Sequence, residues 1–246
     1  MIKPYQALAI DYDGTLADQG TVSAKTLAAI HRLRASDKKL VLVTGRRLEE
    51  LKQVFPDIGL CDLVVAENGA LLYWPTTGQI KVLAEPAPAR FVQELEARGV
   101  PVAVGRVIVA TVEPYEVTVL QTIKAMRLEL EVIFNKGSVM VLPTGVNKAT
   151  GFREGLSRLG LSTRHVIGVG DAENDHAFLR ICGCGIAVAN ALSSLKERAD
   201  FITEHPHGEG VTELIDQLLA NNFQPHFVLD QTAGDPMSSE TPTTRS

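Results

Sequence analysis

The sequence predicts an α/β protein: a doubly wound parallel sheet with a small α+β domain inserted into it. Three observations carry that expectation. Short apolar runs at 6–10, 40–43, 63–66 and 166–169, rich in Val, Ile, Leu and Ala, have the character of strands buried on both faces. Helical stretches separate them, and strands alternating with helices build parallel sheets. Between about 84 and 144 the rhythm changes to helix-strand-strand, twice over.

The first run, Ala7-Leu8-Ala9-Ile10, leads straight into Asp11-Tyr12-Asp13-Gly14-Thr15. Asp is an awkward residue inside a sheet, and two of them at alternate strand positions point to one face. Gly14 lets the backbone turn sharply and approach a ligand. The plainer alternative is a turn in which Asp13-Gly14 caps the next element. Ser23 can cap a helix to about Ala35, with Leu27, Ile30 and Leu33 on one face. Val41-Leu42-Val43 runs into Thr44-Gly45-Arg46, a strand-to-helix turn whose backbone donors suit an anion. A helix over 47–55 stops before Pro56. Because Arg46-Arg47 is followed by Glu49-Glu50, a substrate contact and a surface ion pair are nearly equal readings of Arg46. The third run precedes Glu67-Asn68-Gly69-Ala70, which reads either as pocket lining at the strand ends or as a structural turn. Tyr73 and Trp74 are expected near the junction with the insert.

In the insert, a helix over Phe91–Arg98 precedes strands over Val102–Val104 and Arg106–Val112. Pro114 starts a second helix to about Arg127. Strands over Leu130–Phe134 and Ser138–Leu142 follow, with Asn135-Lys136-Gly137 as their turn. The pattern suggests a small antiparallel sheet with two helices on one face. The chain then returns to the first rhythm. A helix over 148–159 ends at Gly160, Val166-Ile167-Gly168-Val169 runs into Gly170-Asp171-Ala172-Glu173-Asn174-Asp175, and a last helix covers 210–220. The expected division is 1–83 and 145–222 for the core, 84–144 for the insert, and 223–246 for a disordered tail or linker.

A chain of 246 residues, 45% hydrophobic, can build a sizeable core. Its net charge of −5 provides no basic field for nucleic acid or an anionic membrane. No apolar stretch reaches the length of a membrane span, and Met1-Ile2-Lys3-Pro4-Tyr5 lacks a signal-peptide pattern, so a cytoplasmic location is the default expectation. Three cysteines, Cys61, Cys182 and Cys184, form no disulfide framework. Cys182-Gly183-Cys184 lacks a second Cys pair and reads as small buried thiols beside a strand. The six histidines are scattered, and none is read as a ligand.

Four of these segments, Asp11–Thr15, Thr44–Arg46, the stretch around Lys148 and Gly170–Asp175, resemble in order and spacing the haloacid-dehalogenase-like (HAD) phosphohydrolase superfamily. Glu67–Ala70, Gly185–Ala191 and Ala199–Thr203 resemble the subfamily whose cap domain is inserted between the second and third motifs, which includes sugar-phosphate phosphatases, phosphoglycolate phosphatases and phosphomannomutases. The resemblance spans about residues 5 to 220.

That resemblance implies roles. Asp11 would attack phosphorus and form an aspartyl-phosphate. Asp13 would protonate the leaving alkoxide and then deprotonate the attacking water. Asp11, Asp171 and the backbone carbonyl of Asp13 would hold Mg²⁺ through hard oxygen ligands. Asp175 would orient a metal water or Lys148. Thr44 and the Gly45 amide would bind a phosphate oxygen, Lys148 would stabilise the transferring charge, and Asn174 and Arg46 would contact substrate. The expected function is Mg-dependent hydrolysis of a small phosphorylated metabolite, a sugar phosphate or a phosphoglycolate-like ester. The compact insert resembles archaeal-type phosphoglycolate phosphatases. A phosphomutase is the first alternative, but it needs clustered basic residues, and Arg90, Arg98, Arg106, Lys124, Arg127 and Lys136 are dispersed. A non-catalytic regulatory domain is the second. It would be free to lose Asp11, Asp13, Lys148 and Asp171, all of which are present.

Overall fold

The structure, a computed structural model, describes residues 5–223, so the predicted tail lies outside the described residues apart from Phe223. The chain forms β1 (Ala7–Asp11), α1 (Ala24–Arg34), β2 (Lys39–Val43), α2 (Leu48–Val54), β3 (Leu63–Ala66), β4 (Leu71–Trp74) and β5 (Gln79–Val82). The insert contributes α3 (Ala89–Ala97), β6 (Ala103–Val104), β7 (Val109–Val112), α4 (Glu116–Met126), β8 (Leu130–Asn135) and β9 (Ser138–Pro143). The chain closes with α5 (Lys148–Arg158), β10 (Val166–Gly170), α6 (His176–Ile181), β11 (Cys184–Ala187), α7 (Ser193–Lys196), β12 (Phe201–Ile202) and α8 (His207–Asn221).

Eight strands make the main sheet, in the order β12-β11-β10-β1-β2-β3-β4-β5. The six from β12 to β3 run parallel. Their apolar runs are buried along almost their whole length, as strands covered on both faces must be. The antiparallel hairpin β4–β5 extends one edge. Tyr73 and Trp74 lie in β4 and pack with the core of the main sheet.

From β1 the chain steps outward to β2 and β3, whereas from β10 it steps the other way to β11 and β12. Right-handed crossovers in opposite directions place helices on opposite faces. The strand order therefore reverses between β1 and β10, and an open parallel sheet has its crevice there, beyond the carboxyl ends of the strands. Asp11 ends β1, and Asp171 follows the last residue of β10.

The insert's strands form their own sheet, β6-β7-β9-β8, and none of them pairs with the main sheet. Alternation decides which side chains go where. Val109, Val139 and Val141 pack with Phe91, Leu95, Val119 and Ile123 beneath α3 and α4. Met140 and Leu142, alternating with the two valines on β9, pack with Ala70, Val107 and Ile108 on the other side. β9 is thus covered on both faces, which explains its unbroken apolar run. The strand expected over 106–112 begins only at Val109, because residues 106–108 form a loop tied to Glu67.

Candidate active site

The loop after β1 is folded by its own backbone: Leu16 N–H donates to Asp11 O and Ala17 N–H to Tyr12 O, at 3.1 and 2.8 Å. Gly14 sits in this loop with φ +82°, and a Cβ there would lie 2.2 Å from Asp171 Oδ2. Only glycine accommodates both demands. Its carbonyl accepts from Asn190 Nδ2 at 2.7 Å and contacts His207 Nδ1 at 2.9 Å, while His207 N–H donates to Asn190 Oδ1 at 2.8 Å. The chain beyond β11 therefore holds the loop in place.

Asp11 is buried, and its Oδ1 accepts from Lys148 Nζ at 2.5 Å. Lys148 opens α5, directly after Asn147, whose side chain accepts from Thr150 N–H at 3.1 Å as a helix cap. A lysine in the first turn of a helix opposes the dipole, so this burial needs anionic partners. Asp11 is one, and Asp175 Oδ1 is the other at 2.6 Å. Burial alone would lower the ammonium's pKa, but the two carboxylates outweigh it and hold Lys148 protonated above its ordinary value. Asp175 Oδ2 accepts the N–H groups of Asp171 and Ala172 at 3.0 and 3.1 Å, so the acidic turn after β10 closes on itself. Asp171 Oδ1 accepts from Thr15 Oγ1 at 3.1 Å, and its Oδ2 meets Lys136 Nζ, from the β8–β9 turn of the other sheet. Burial pushes the Asp11 carboxyl well up, Lys148 opposes that, and Asp175 and Asp171 add to it. Burial likewise raises Asp171, against the Lys136 hydrogen bond.

Asp11, Asp171 and Asp175 each offer an oxygen, and these atoms lie within 4.8 Å of one another. Three buried carboxylates here face two ammonium groups, Lys148 and Lys136, which leaves one negative charge over. An all-carboxylate set with residual negative charge fits a hard divalent cation such as Mg²⁺. Both oxygens of Asp175 are already engaged, by Lys148 and by backbone N–H groups. This suits Asp175 to orienting its neighbours rather than to direct ligation.

Asp13 does not join that cluster. Its carboxylate takes a forked pair of hydrogen bonds from Arg46 Nε and Nη2, both 2.7 Å, and Arg46 Nη1 meets Glu50. Arg46 therefore makes the expected ion pair with a following glutamate and also lines the cavity beside Asp13. Thr44 is buried, and its Oγ1 accepts from Arg46 N–H at 3.1 Å. Gly45 lies beneath Met140 of the insert. Asn174 Nδ2 donates to Asn68 Oδ1 at 3.1 Å. Asp11, Asp13, Gly45 and Arg46 line a cavity of about 560 Å³, whose far wall includes Thr111, Asn135, Lys136, Ser138 and Met140 of the insert.

Glu67, read as possible pocket lining, faces elsewhere. Its carboxylate is buried and accepts from the N–H groups of Arg106, Val107 and Ile108, at 2.9, 2.8 and 3.0 Å. Lys136, Asn190, His207 and Thr15 are site residues that sequence reasoning did not single out. Thr15 and Asn190 lay within quoted segments. Lys136 is one of several dispersed basic residues in sequence, and no local signal shows which of them crosses to the acidic cluster.

A family profile described as haloacid dehalogenase-like hydrolase matches residues 8–104 and 108–215. Phosphoglycolate phosphatase 2 of Saccharolobus solfataricus is 32% identical over 225 residues, covering 88% of this chain and 93% of that protein. The phosphoglycolate phosphatase of Methanothermobacter thermautotrophicus is 30% identical, covering 85% of this chain and 97% of that protein. Among solved structures, a haloacid dehalogenase-like hydrolase from Bacteroides thetaiotaomicron superposes with a TM-score of 0.76 at 17% identity, over 87% of this chain and 99% of that one. A HAD subclass IIB sugar phosphatase superposes with a TM-score of 0.70 at 20% identity, over 87% and 98%. These two likenesses concern the fold.

Proposed function

This chain belongs to the haloacid dehalogenase-like hydrolase family and is a phosphatase, and we propose that it hydrolyses a small phosphorylated metabolite of the phosphoglycolate type through a phosphoryl group carried on Asp11. The observation that carries this reading is Lys148, buried between Asp175 and Asp11, the carboxylate that lines the cavity. Lys148 fixes Asp11 Oδ1, which leaves Oδ2 to attack phosphorus as the ester P–O bond breaks. Arg46 would trade Asp13 for a phosphate oxygen, an exchange suited to a guanidinium fork. Freed, Asp13 takes up a proton from solvent and gives it to the departing alkoxide. It then takes one from the water whose oxygen displaces Asp11, and inorganic phosphate leaves. Thr44, Gly45 and Asn174 would bind the phosphoryl oxygens.

Asp11, Asp171 and the Asp13 carbonyl would hold Mg²⁺, with Asp175 aligning them. The ion supplies charge neutralisation where an anionic nucleophile meets an anionic ester. The insert acts as a cap over residues 84–144, excluding water while Asp11 reacts. The mutase reading needs a second phosphate site in that cap, and Lys136 is the single cation that the cap brings to the cavity wall. The location expected for this activity is the cytoplasm, and among the described residues no helix is long and apolar enough to cross a membrane.

The test is phosphate release from a panel including 2-phosphoglycolate and hexose phosphates, with Mg²⁺ and with excess EDTA, alongside mass spectrometry of acid-quenched protein. Expected are Mg-dependent turnover and a phosphoryl adduct on the peptide carrying Asp11. Full activity in EDTA would reject the metal assignment, and an adduct elsewhere would reject the nucleophile. Hexose 6-phosphate formed from hexose 1-phosphate faster than free phosphate would favour the mutase.

A further inference from the structure

We propose that Lys136 reads an anionic group on the leaving alcohol, so that the enzyme selects short phosphate esters carrying a carboxylate close to the ester oxygen. This rests on the phosphatase reading above and narrows its substrate class. Lys136 and Gly137 form the two-residue loop of the β8–β9 hairpin, closed by the Asn135–Ser138 pair, with φ of 46° and 80°. Such a loop favours Asn or Gly at its first position. A lysine pays a conformational cost there, which points to a use for its side chain.

That side chain crosses from the insert to the core and meets Asp171. The pair lies directly over the nucleophile loop, since a Cβ on Gly14 would approach Lys136 Nζ to 2.9 Å and Asp171 Oδ2 to 2.2 Å. The other cations of the site have partners that hold them: Arg46 has Asp13 and Glu50, Arg47 has Glu50, and Lys148 has Asp11 and Asp175. Lys136 is different. Its partner is the carboxylate that a bound divalent cation needs, so cation binding releases the ammonium beside the reacting atoms. With its head group in the cavity it then lacks a negative partner, and an anion on the substrate supplies one. Two neighbours on the same wall, Thr111 Oγ1 and Asn135 Oδ1, are buried without a hydrogen-bond partner among the described residues and can meet the rest of a small polar leaving group. The remainder of that wall is largely apolar, which disfavours a second anion elsewhere.

The test compares 2-phosphoglycolate with 2-hydroxyethyl phosphate, which replaces the carboxylate by an alcohol at similar size. Wild type should prefer phosphoglycolate. Lys136→Met should lower kcat/KM on phosphoglycolate by about ten- to a hundredfold, the effect of removing one charged hydrogen bond, and change the neutral ester less than about threefold. Lys136→Arg should keep part of the preference. Lys136→Asn, which suits the turn's backbone, should behave as Lys136→Met and separates charge from folding. Without substrate, calorimetric titration should show Mg²⁺ binding several-fold more tightly to Lys136→Met than to wild type, because the ammonium no longer competes for Asp171. Equal losses on both esters, no wild-type preference, or unchanged Mg²⁺ affinity would overturn the role given to Lys136 while leaving a phosphatase. A wild-type protein that releases phosphate from neither ester, nor from the wider panel, would overturn the underlying reading as well.

Discussion

Asp11 carries two burdens, a proposed covalent role and a buried charge among like charges. Asp11→Asn removes the nucleophile, and turnover should fall by at least about four orders of magnitude, as when a covalent catalyst is deleted. The fold should persist, because Asn matches Asp in shape and Lys148 keeps Asp175 as its ion partner. Phosphate release and circular dichroism on the same sample check both halves, and activity above a few percent would sink the nucleophile assignment. Lys148 shows the converse. Lys148→Met leaves Asp11 and Asp175 as uncompensated buried carboxylates, which should cost about 3–5 kcal/mol at neutral pH. Protonating those carboxylates relieves the penalty, so the loss measured by urea unfolding should be smaller at pH 5 than at pH 8. A loss independent of pH would mean that Lys148 stabilises by packing alone.

At the scale of elements, the turn after β3 joins the two sheets. Gly69, at φ +102°, packs against the start of α5, where a Cβ would sit 2.0 Å from Asn147 O. Glu67, two residues earlier, ties the loop at 106–108 through three hydrogen bonds. The same four-residue turn thus sets the position of Lys148 and anchors the insert. Glu67→Gln loses the charge from those bonds and points an amide donor at backbone donors. The expected loss is about 1.5–3 kcal/mol, with faster amide hydrogen exchange confined to 106–108 and adjoining residues. Unchanged exchange there would show that the loop holds itself.

Across the main sheet, the hydrophobic core buries thiols as well as aliphatic groups. Cys61 is fully buried, and burial pushes its thiol from an ordinary 9.0 up to about 12. The folded state therefore keeps a proton that the unfolded chain releases above pH 9. Stability is intact below that value and falls as pH rises toward 12, by about 1.4 kcal/mol at pH 10 for this one group. Urea midpoints at pH 8 and pH 10 should drop further for wild type than for Cys61→Ala. Equal drops would mean that Cys61 is not the group responsible.

Local pattern determined much of this protein. The runs at 6–10, 40–43, 63–66 and 166–169 announced buried parallel strands because a strand covered on both faces has no polar side to show. Asp11 was legible as a candidate because a carboxylate at the end of such a run is awkward in a sheet, whereas the roles of Asp13, Thr44, Lys148, Asp171 and Asp175 came from the resemblance of their segments to the superfamily. Short segments were less legible. β12 has two residues and β4–β5 lies at an edge, so neither accumulates a period long enough to read. Partnership was decided only in three dimensions. Strand order put Asp171 beside Asp11, a distance of 160 residues along the chain. It turned Glu67 away from the cavity toward 106–108, paired Asp13 with Arg46, and carried Lys136 from a hairpin tip to the acidic cluster. A side chain's chemistry is local, but the charge it meets depends on which strands lie side by side, and that depends on the packing of the whole chain.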